Sequence, residues 1–202
     1  MDEKPAGTRK SLVLASKSPR RLQLLREAGI SFEAVAPQFE EPDPAGWLGG
    51  PEFYAESTSY GKASSVIGDH ADCVVLGADT VVALNEQILG KPTNRDDARR
   101  ILDTLSGSTH EVITGITILS PADYREITRH AVTQVTMRRM SDFEIEAYLA
   151  GGQWEGKAGA YGIQDDGDPF VTLVDGSFSN VVGLPMELVL ELLAEVGIKP
   201  AR

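Results

Sequence analysis

The chain has 202 residues, which is enough for one globular domain or two small lobes around a substantial core. Its formal net charge of −11 argues against a general nucleic-acid-binding or anionic-membrane surface, so any basic cluster must be local. A single cysteine, Cys73, excludes a disulfide framework and a cysteine-based zinc site and indicates a reducing compartment. Residues 1–10 lack a signal-peptide pattern and no apolar run approaches the roughly 20 residues of a membrane span, so we expect a cytoplasmic protein.

Strands and helices alternate in the first half of the chain. A continuous apolar run predicts a strand covered on both faces at residues 11–15, and Ser18 with Pro19 then begins a helix that ends at Gly29. The Pro- and Gly-rich residues 37–51 predict a mobile loop, the best candidate for a lid. The remaining elements predicted in this half are strands at 32–36 and 73–77, a hairpin at 81–89, and helices at 52–69 and 95–105, the second capped by Asn94.

Longer strands dominate the second half. Residues 111–119 and 127–137 predict an antiparallel pair, and Ser141 with Glu144 predicts a capping box that opens a helix to residue 150. A hairpin at 170–176 and a helix at 185–197 follow. The whole pattern predicts one α/β domain over residues 11–202, after a disordered segment at 1–10. We expect a mixed sheet flanked by helices that can bend into two lobes around a cleft.

The stretch "SKSPRR", residues 16–21, lies where the first strand becomes a helix. A helix N-terminus carries unpaired N–H groups and a partial positive charge, so it attracts anions. Arg20 and Arg21 in the first turn oppose this dipole, which makes them unfavourable unless an anion lies among them. A bound phosphate explains them, and so do ion pairs with some of the 30 acidic residues; this stretch alone does not separate the two.

Two further segments carry candidate chemistry. Asp79 in "GADTVV" follows an apolar strand, where a metal or a reacting water would lie in an open α/β sheet, although a lone aspartate there is more often a cap or turn residue. A hairpin could bring Lys91 of "LGKP" back towards it. "EGKAGAYGIQ" combines glycines with polar groups able to meet a ligand, or is a Gly-rich turn. The three histidines show no metal-ligand spacing and are given no role.

Taken together, these segments resemble a known family. "LASKSPRRLQLL", "LGADTVV", "LGKP", "LSGSTHEVITG", "KAGAYGIQ" and "NVVGLP" occur in the order and approximate spacing of the Maf family of nucleoside triphosphate pyrophosphatases, over residues 12–193. The resemblance implies a fold similar to inosine triphosphatases and hydrolysis between the α and β phosphates with a divalent metal, Mg²⁺ or Mn²⁺. The form of the last segments resembles the branch that acts on dTTP, UTP and modified pyrimidine nucleotides.

The resemblance also implies roles for individual residues. Asp79, Glu41 and Lys91 would be catalytic, and Asp79 and Glu41 would also hold the metal. The substrate-binding set would be Ser16, Ser18, Arg20, Arg21, Lys62, Thr80, Lys157 and Gln164.

Two other functions stay open at this point. One is a non-catalytic nucleotide-binding regulator of cell division or septum formation, and the other is a phosphatase that releases orthophosphate. The expected partner is a nucleoside triphosphate, with neither nucleic acid nor membrane, and a homodimer is a possible assembly.

Overall fold

The computed structural model describes residues 10–163 and 169–201, so most of the predicted disordered segment and Gln164 lie outside the described residues. The strands are β1 (Leu12–Ala15), β2 (Glu33–Val35), β3 (Val74–Leu84), β4 (Gln87–Leu89), β5 (Thr109–Ser120), β6 (Arg125–Met137) and β7 (Val171–Asp175). The helices are α1 (Pro19–Glu27), α2 (Pro51–Ile67), α3 (Arg95–Leu105), α4 (Asp142–Ala150), α5 (Phe178–Val182) and α6 (Met186–Glu195). Short 3-10 turns lie at Pro44–Gly46, Pro121–Asp123 and Ala158–Ala160.

One mixed, seven-stranded sheet organises these elements in the order β2-β1-β3-β5-β6-β7, with β4 beside the end of β3. β1 runs parallel to β2 and β3, whereas the remaining pairs are antiparallel. Strand β1 and most of β3 are apolar and almost fully buried, as expected of strands covered on both faces. The predicted α/β class with a mixed sheet is therefore confirmed.

Helices cover both faces of the sheet. α1 and α6 pack on one face around a core that includes Leu14, Leu76 and Ile116. α2 lies on the other face and approaches the strands closely: a Cβ on Gly77 would lie 2.3 Å from the Ser59 carbonyl oxygen. The absence of a side chain there brings α2 against β3, which places the polar residues of both elements side by side.

A second core lies under the far half of the long strands. It joins β3, β5 and β6 to α3, α4 and the turn at Ala158–Ala160, with Ile101, Leu102 and Ile145 at its centre. Because β3 and β5 run through both cores, the two halves of the molecule share a continuous backbone, and a cleft opens between them.

Several local predictions are confirmed. The Asn94 side chain accepts from the Asp97 N–H at 2.9 Å, and Ser141 and Glu144 form the capping box. Asn85 and Glu86 both have positive φ, as a two-residue hairpin turn between β3 and β4 requires.

Two local predictions are wrong. β3 continues to residue 84, so Asp79 lies in the middle of a strand opposite Gly115 and not at its end. Residues 170–176 form no hairpin: β7 pairs with β6, and Ser177 at once caps α5 by accepting from the Asn180 N–H. Ser18 is the N-cap residue of α1 and Pro19 begins the helix, as predicted, although the Ser18 side chain makes no capping bond and its N–H donates to Ser16 Oγ at 3.1 Å.

Within the described residues, none of the helices combines the length and the apolar character that crossing a membrane would need.

Candidate active site

The cleft has a volume of about 800 Å³ and lies between the two cores. One end is polar, formed by the loop after β1, the N-terminus of α1, and side chains from α2 and β3. The other end is formed by apolar side chains and by the segment from Glu155 to Ile163. The predicted site residues that line it are Ser16, Ser18, Arg20, Arg21, Glu41, Lys62, Asp79, Thr80, Lys91 and Lys157.

The two arginines at the start of α1 have different environments. Arg20 is half-buried and lines the cleft, whereas Arg21 is only 9% exposed. The Arg21 guanidinium donates to the Gly183 and Ala78 carbonyl oxygens, each at 2.8 Å, and to Thr80 Oγ1 at 2.9 Å. Burial lowers the pKa of Arg21, and nearby Asp79 acts against that shift. Arg21 therefore links the backbone of β3 to the residue that follows α5, a role that "SKSPRR" did not reveal.

Four charged side chains are linked by ion pairs at the polar end of the cleft. The Lys62 ammonium lies 2.5 Å from Asp79 Oδ1 and 2.7 Å from Glu41 Oε1, and Lys91 Nζ lies 3.6 Å from the same Glu41 oxygen. Lys62 and Asp79 are buried, whereas the Glu41 side chain is 39% exposed. Burial by itself would raise the pKa of Glu41, but Lys62, Lys91 and Arg21 outweigh it and lower that pKa. Glu41 is thus ionised at neutral pH.

The Asp79 and Glu41 carboxylates could supply part of the ligand set of a divalent cation. Asp79 and Glu41 touch the same ammonium, so their oxygens converge on one point, and carboxylate oxygens are the ligands that Mg²⁺ and Mn²⁺ prefer. Among residues 10–163 and 169–201, however, no three His, Cys, Asp or Glu side chains cluster as a metal site. A metal held here would take its remaining ligands from water and phosphate oxygens, as Mg²⁺ commonly does.

A buried histidine that sequence reasoning did not single out contacts the wall at the other end of the cleft. His110 on β5 is 1% exposed, and its Nε2 lies 2.7 Å from the hydroxyl of Tyr161, which lines the cleft. Burial lowers the pKa of His110 to about 4, so the ring is neutral at pH 7. The apolar side chains of Val82, Val112 and Val181 complete this end.

Comparison with known proteins places most of the chain in one family. The model of the family of Maf-like proteins matches residues 11–196. The chain belongs to the Maf family. It is 39% identical to a dTTP/UTP pyrophosphatase of Dictyoglomus thermophilum, over 94% of this chain and 97% of the relative. It is also 43% identical to a dTTP/UTP pyrophosphatase of Cereibacter sphaeroides, over 93% and 96%.

A solved structure supports the same fold. A HAM1 protein from Coxiella burnetii superposes with a TM-score of 0.52 at 16% sequence identity, covering 92% of this chain and 99% of that protein. At this identity the likeness concerns the fold alone. It agrees with the mixed sheet described above for this Maf protein.

The structure brings most of the predicted residues of this Maf protein together. Lys91 reaches the cleft through the β3–β4 hairpin, as expected, but its ion pair among the described residues is with Glu41. Lys157 lines the cleft near Tyr161, while the predicted role of Gln164 lies outside the described residues. What sequence reasoning missed is the pairing of Lys62 with both carboxylates, because those three residues lie on separate elements.

Proposed function

We propose that this Maf protein hydrolyses dTTP or UTP to the nucleoside monophosphate and pyrophosphate. The observation that carries the proposal is the cluster of Lys62, Asp79 and Glu41 at the polar end of a cleft large enough for a nucleotide. Relatives about 40% identical over nearly the whole chain are named dTTP/UTP pyrophosphatases, which supports the same reaction here.

The triphosphate would lie at the polar end. Arg20, Lys91 and the N-terminus of α1 would bind its oxygens, and cations there stabilise the negative charge that develops as the anhydride breaks. Glu41 and Asp79 would hold Mg²⁺ or Mn²⁺, which when bound neutralises phosphate charge.

Asp79 is our candidate for orienting or deprotonating the attacking water. Its position is fixed by the middle of β3 and by the 2.5 Å contact with Lys62. Water adds across the bond between the α and β phosphates, its proton passes to the carboxylate, and pyrophosphate leaves with the electron pair of the broken bond. Lys62 also contacts Glu41, and its positive charge offsets the repulsion between the Asp79 and Glu41 carboxylates, so the two can lie close together.

The nucleobase of the substrate would lie at the other end of the cleft, against Val82, Val112 and Tyr161. Apolar contacts discriminate weakly between a pyrimidine with and without a methyl group, so activity on both dTTP and UTP is consistent with this lining.

The test is a panel of nucleoside triphosphates with Mg²⁺, in which orthophosphate is measured before and after addition of inorganic pyrophosphatase. We expect signal only after that addition, strongest for dTTP and UTP, and none in EDTA. Orthophosphate released directly would identify a phosphatase. Nucleotide binding with no turnover of any nucleotide would favour the non-catalytic regulator.

A further inference from the structure

Glu41 carries much of the proposed chemistry, yet it lies on neither a strand nor a helix. It belongs to the irregular segment between β2 and α2, and its side chain still meets the Lys62 ammonium at 2.7 Å. A catalytic or metal-binding group needs a defined position, so this segment requires anchors of its own.

The first anchor is the packing of the Phe39 ring against Gly61 of α2. The ring packs so closely on α2 that a Cβ at Gly61 would lie 2.2 Å from one of its carbon atoms. Glycine is a poor residue for a helix interior, where alanine is the better helix former. The contact with Phe39 gives a physical reason for glycine at this point.

The second anchor is Tyr54 against Pro42. The Tyr54 hydroxyl donates to the Pro42 carbonyl oxygen at 2.7 Å, and Tyr54 is 3% exposed. The ring of Trp47 packs edge-on against Tyr54, with centroids 5.3 Å apart. Since Pro42 directly follows Glu41, this hydrogen bond restrains the backbone at Glu41 itself.

Both anchors belong to the helix that carries Lys62. Tyr54 and Gly61 lie seven residues apart on α2, which is two helical turns, so they lie on one face of the helix. Phe39 and Pro42 lie on either side of Glu41 in the sequence. Phe39 packs against Gly61, and Pro42 accepts the hydrogen bond from Tyr54. The segment is thus fastened on both sides of Glu41, and the carboxylate lies over the ammonium.

We propose that Tyr54 and Gly61 are positioning residues that hold the Glu41 carboxylate at the Lys62–Asp79 pair. The inference rests on the proposed function, because it assigns to α2 the placement of a group used in that reaction. Neither residue needs to touch the nucleotide.

Two variants test the anchors separately. Tyr54→Phe removes only the hydroxyl, and Gly61→Ala adds one methyl group that displaces Phe39. We expect kcat/KM to fall about 10- to 100-fold in each, since a displacement of about 1 Å at a reacting group can cost about 100-fold. For Gly61→Ala the melting temperature should change little, because the helix preference of alanine offsets the lost packing of Phe39. If Gly61 had only a structural role, Gly61→Ala would lower the melting temperature and kcat/KM together.

Matched controls lie on the same helix and at its end. Tyr60 is 41% exposed, so Tyr60→Phe removes a hydroxyl outside the cleft. A Cβ at Gly68 would meet no atom of the described residues within 4 Å, so Gly68→Ala adds a methyl group without displacing a neighbour. Both controls should keep kcat/KM within about twofold of wild type.

Coupling to Glu41 separates positioning from a general effect. In a Glu41→Gln background, Tyr54→Phe and Gly61→Ala should lower kcat/KM by less than about twofold, because the group they position is already altered. In the nucleotide-free protein, the amides of residues 39–47 other than Pro42 and Pro44 should exchange hydrogen faster in both variants and not in the controls.

The outcomes separate the inference from the function on which it rests. Full activity and unchanged exchange in both variants, with Glu41→Gln impaired, would overturn the inference and leave the function intact. Equal losses in the wild-type and Glu41→Gln backgrounds would also overturn it. A wild-type protein that releases no pyrophosphate would overturn the proposed function, and the exchange rates would still decide whether the two residues anchor the segment.

Discussion

Replacing Lys62 by methionine tests the charge cluster most directly. Lys62 is 7% exposed, and its ammonium lies between Asp79 Oδ1 at 2.5 Å and Glu41 Oε1 at 2.7 Å. Methionine keeps the length and the apolar stem but removes the charge, which leaves the buried Asp79 carboxylate facing a second carboxylate. We therefore expect a marked loss of stability.

The size of the loss follows from burial. Removing one partner of a buried ion pair costs about 3–5 kcal/mol, and we take about 3 kcal/mol, at the lower end. The reason is that Glu41, with 39% of its side chain exposed, can turn towards water. For a chain of this length, 1 kcal/mol corresponds to roughly 2–4 °C, so Tm should fall by about 6–12 °C. Thermal and urea unfolding in EDTA at pH 7, followed by tryptophan fluorescence, measure both quantities.

A surface lysine of the same cluster provides the control. Lys91 has a side chain that is 52% exposed and 3.6 Å from Glu41, so Lys91→Met should change the free energy of unfolding by less than about 0.5 kcal/mol. Added Mg²⁺ should raise Tm more in Lys62→Met than in wild type, because two carboxylates without the ammonium bind a hard cation more readily. A Tm for Lys62→Met within about 2 °C of wild type would refute this account of the cluster.

Four more predictions follow from the site. Asp79→Asn should lower kcat for pyrophosphate release by about 100-fold or more while the protein stays folded, and near-normal turnover would exclude Asp79 as the group acting on water. Arg20→Ala should impair turnover without loss of stability, since it relieves a repulsion with the helix dipole. Arg21→Ala should cost roughly 3 kcal/mol in urea unfolding, because its buried hydrogen bonds to Gly183 and Ala78 are lost; equal stability of the two variants would contradict this. Burial lowers the pKa of His110 from 6.5 to about 4, so the unfolded chain takes up the proton before the folded protein does. The free energy of unfolding should therefore fall by about 3 kcal/mol as the pH is lowered from about 6.5 to about 4. Urea unfolding of His110→Gln across that pH range should lack this contribution.

Local order was readable from the sequence where a few neighbouring residues determine it. The Asn94 cap, the capping box at Ser141 and the two-residue turn at Asn85 each depend on contacts within four residues, so the pattern and the structure agree. The order of the family motifs likewise predicted the cleft and its polar residues. Asp79 was misplaced at a strand end because a charged residue usually ends an apolar strand, and the sequence does not display its partner.

Only the tertiary structure decided the roles within the site. The Lys62–Asp79 contact spans 17 residues, and the bonds from Arg21 to Thr80 and Gly183 span 59 and 162. Adjacent arginines, alike in sequence, differ because α1 turns Arg21 towards buried carbonyl groups. Burial removes water, and a charge without water must find protein partners. Which partners are within reach depends on how the sheet and α2 pack, and no local pattern contains that information.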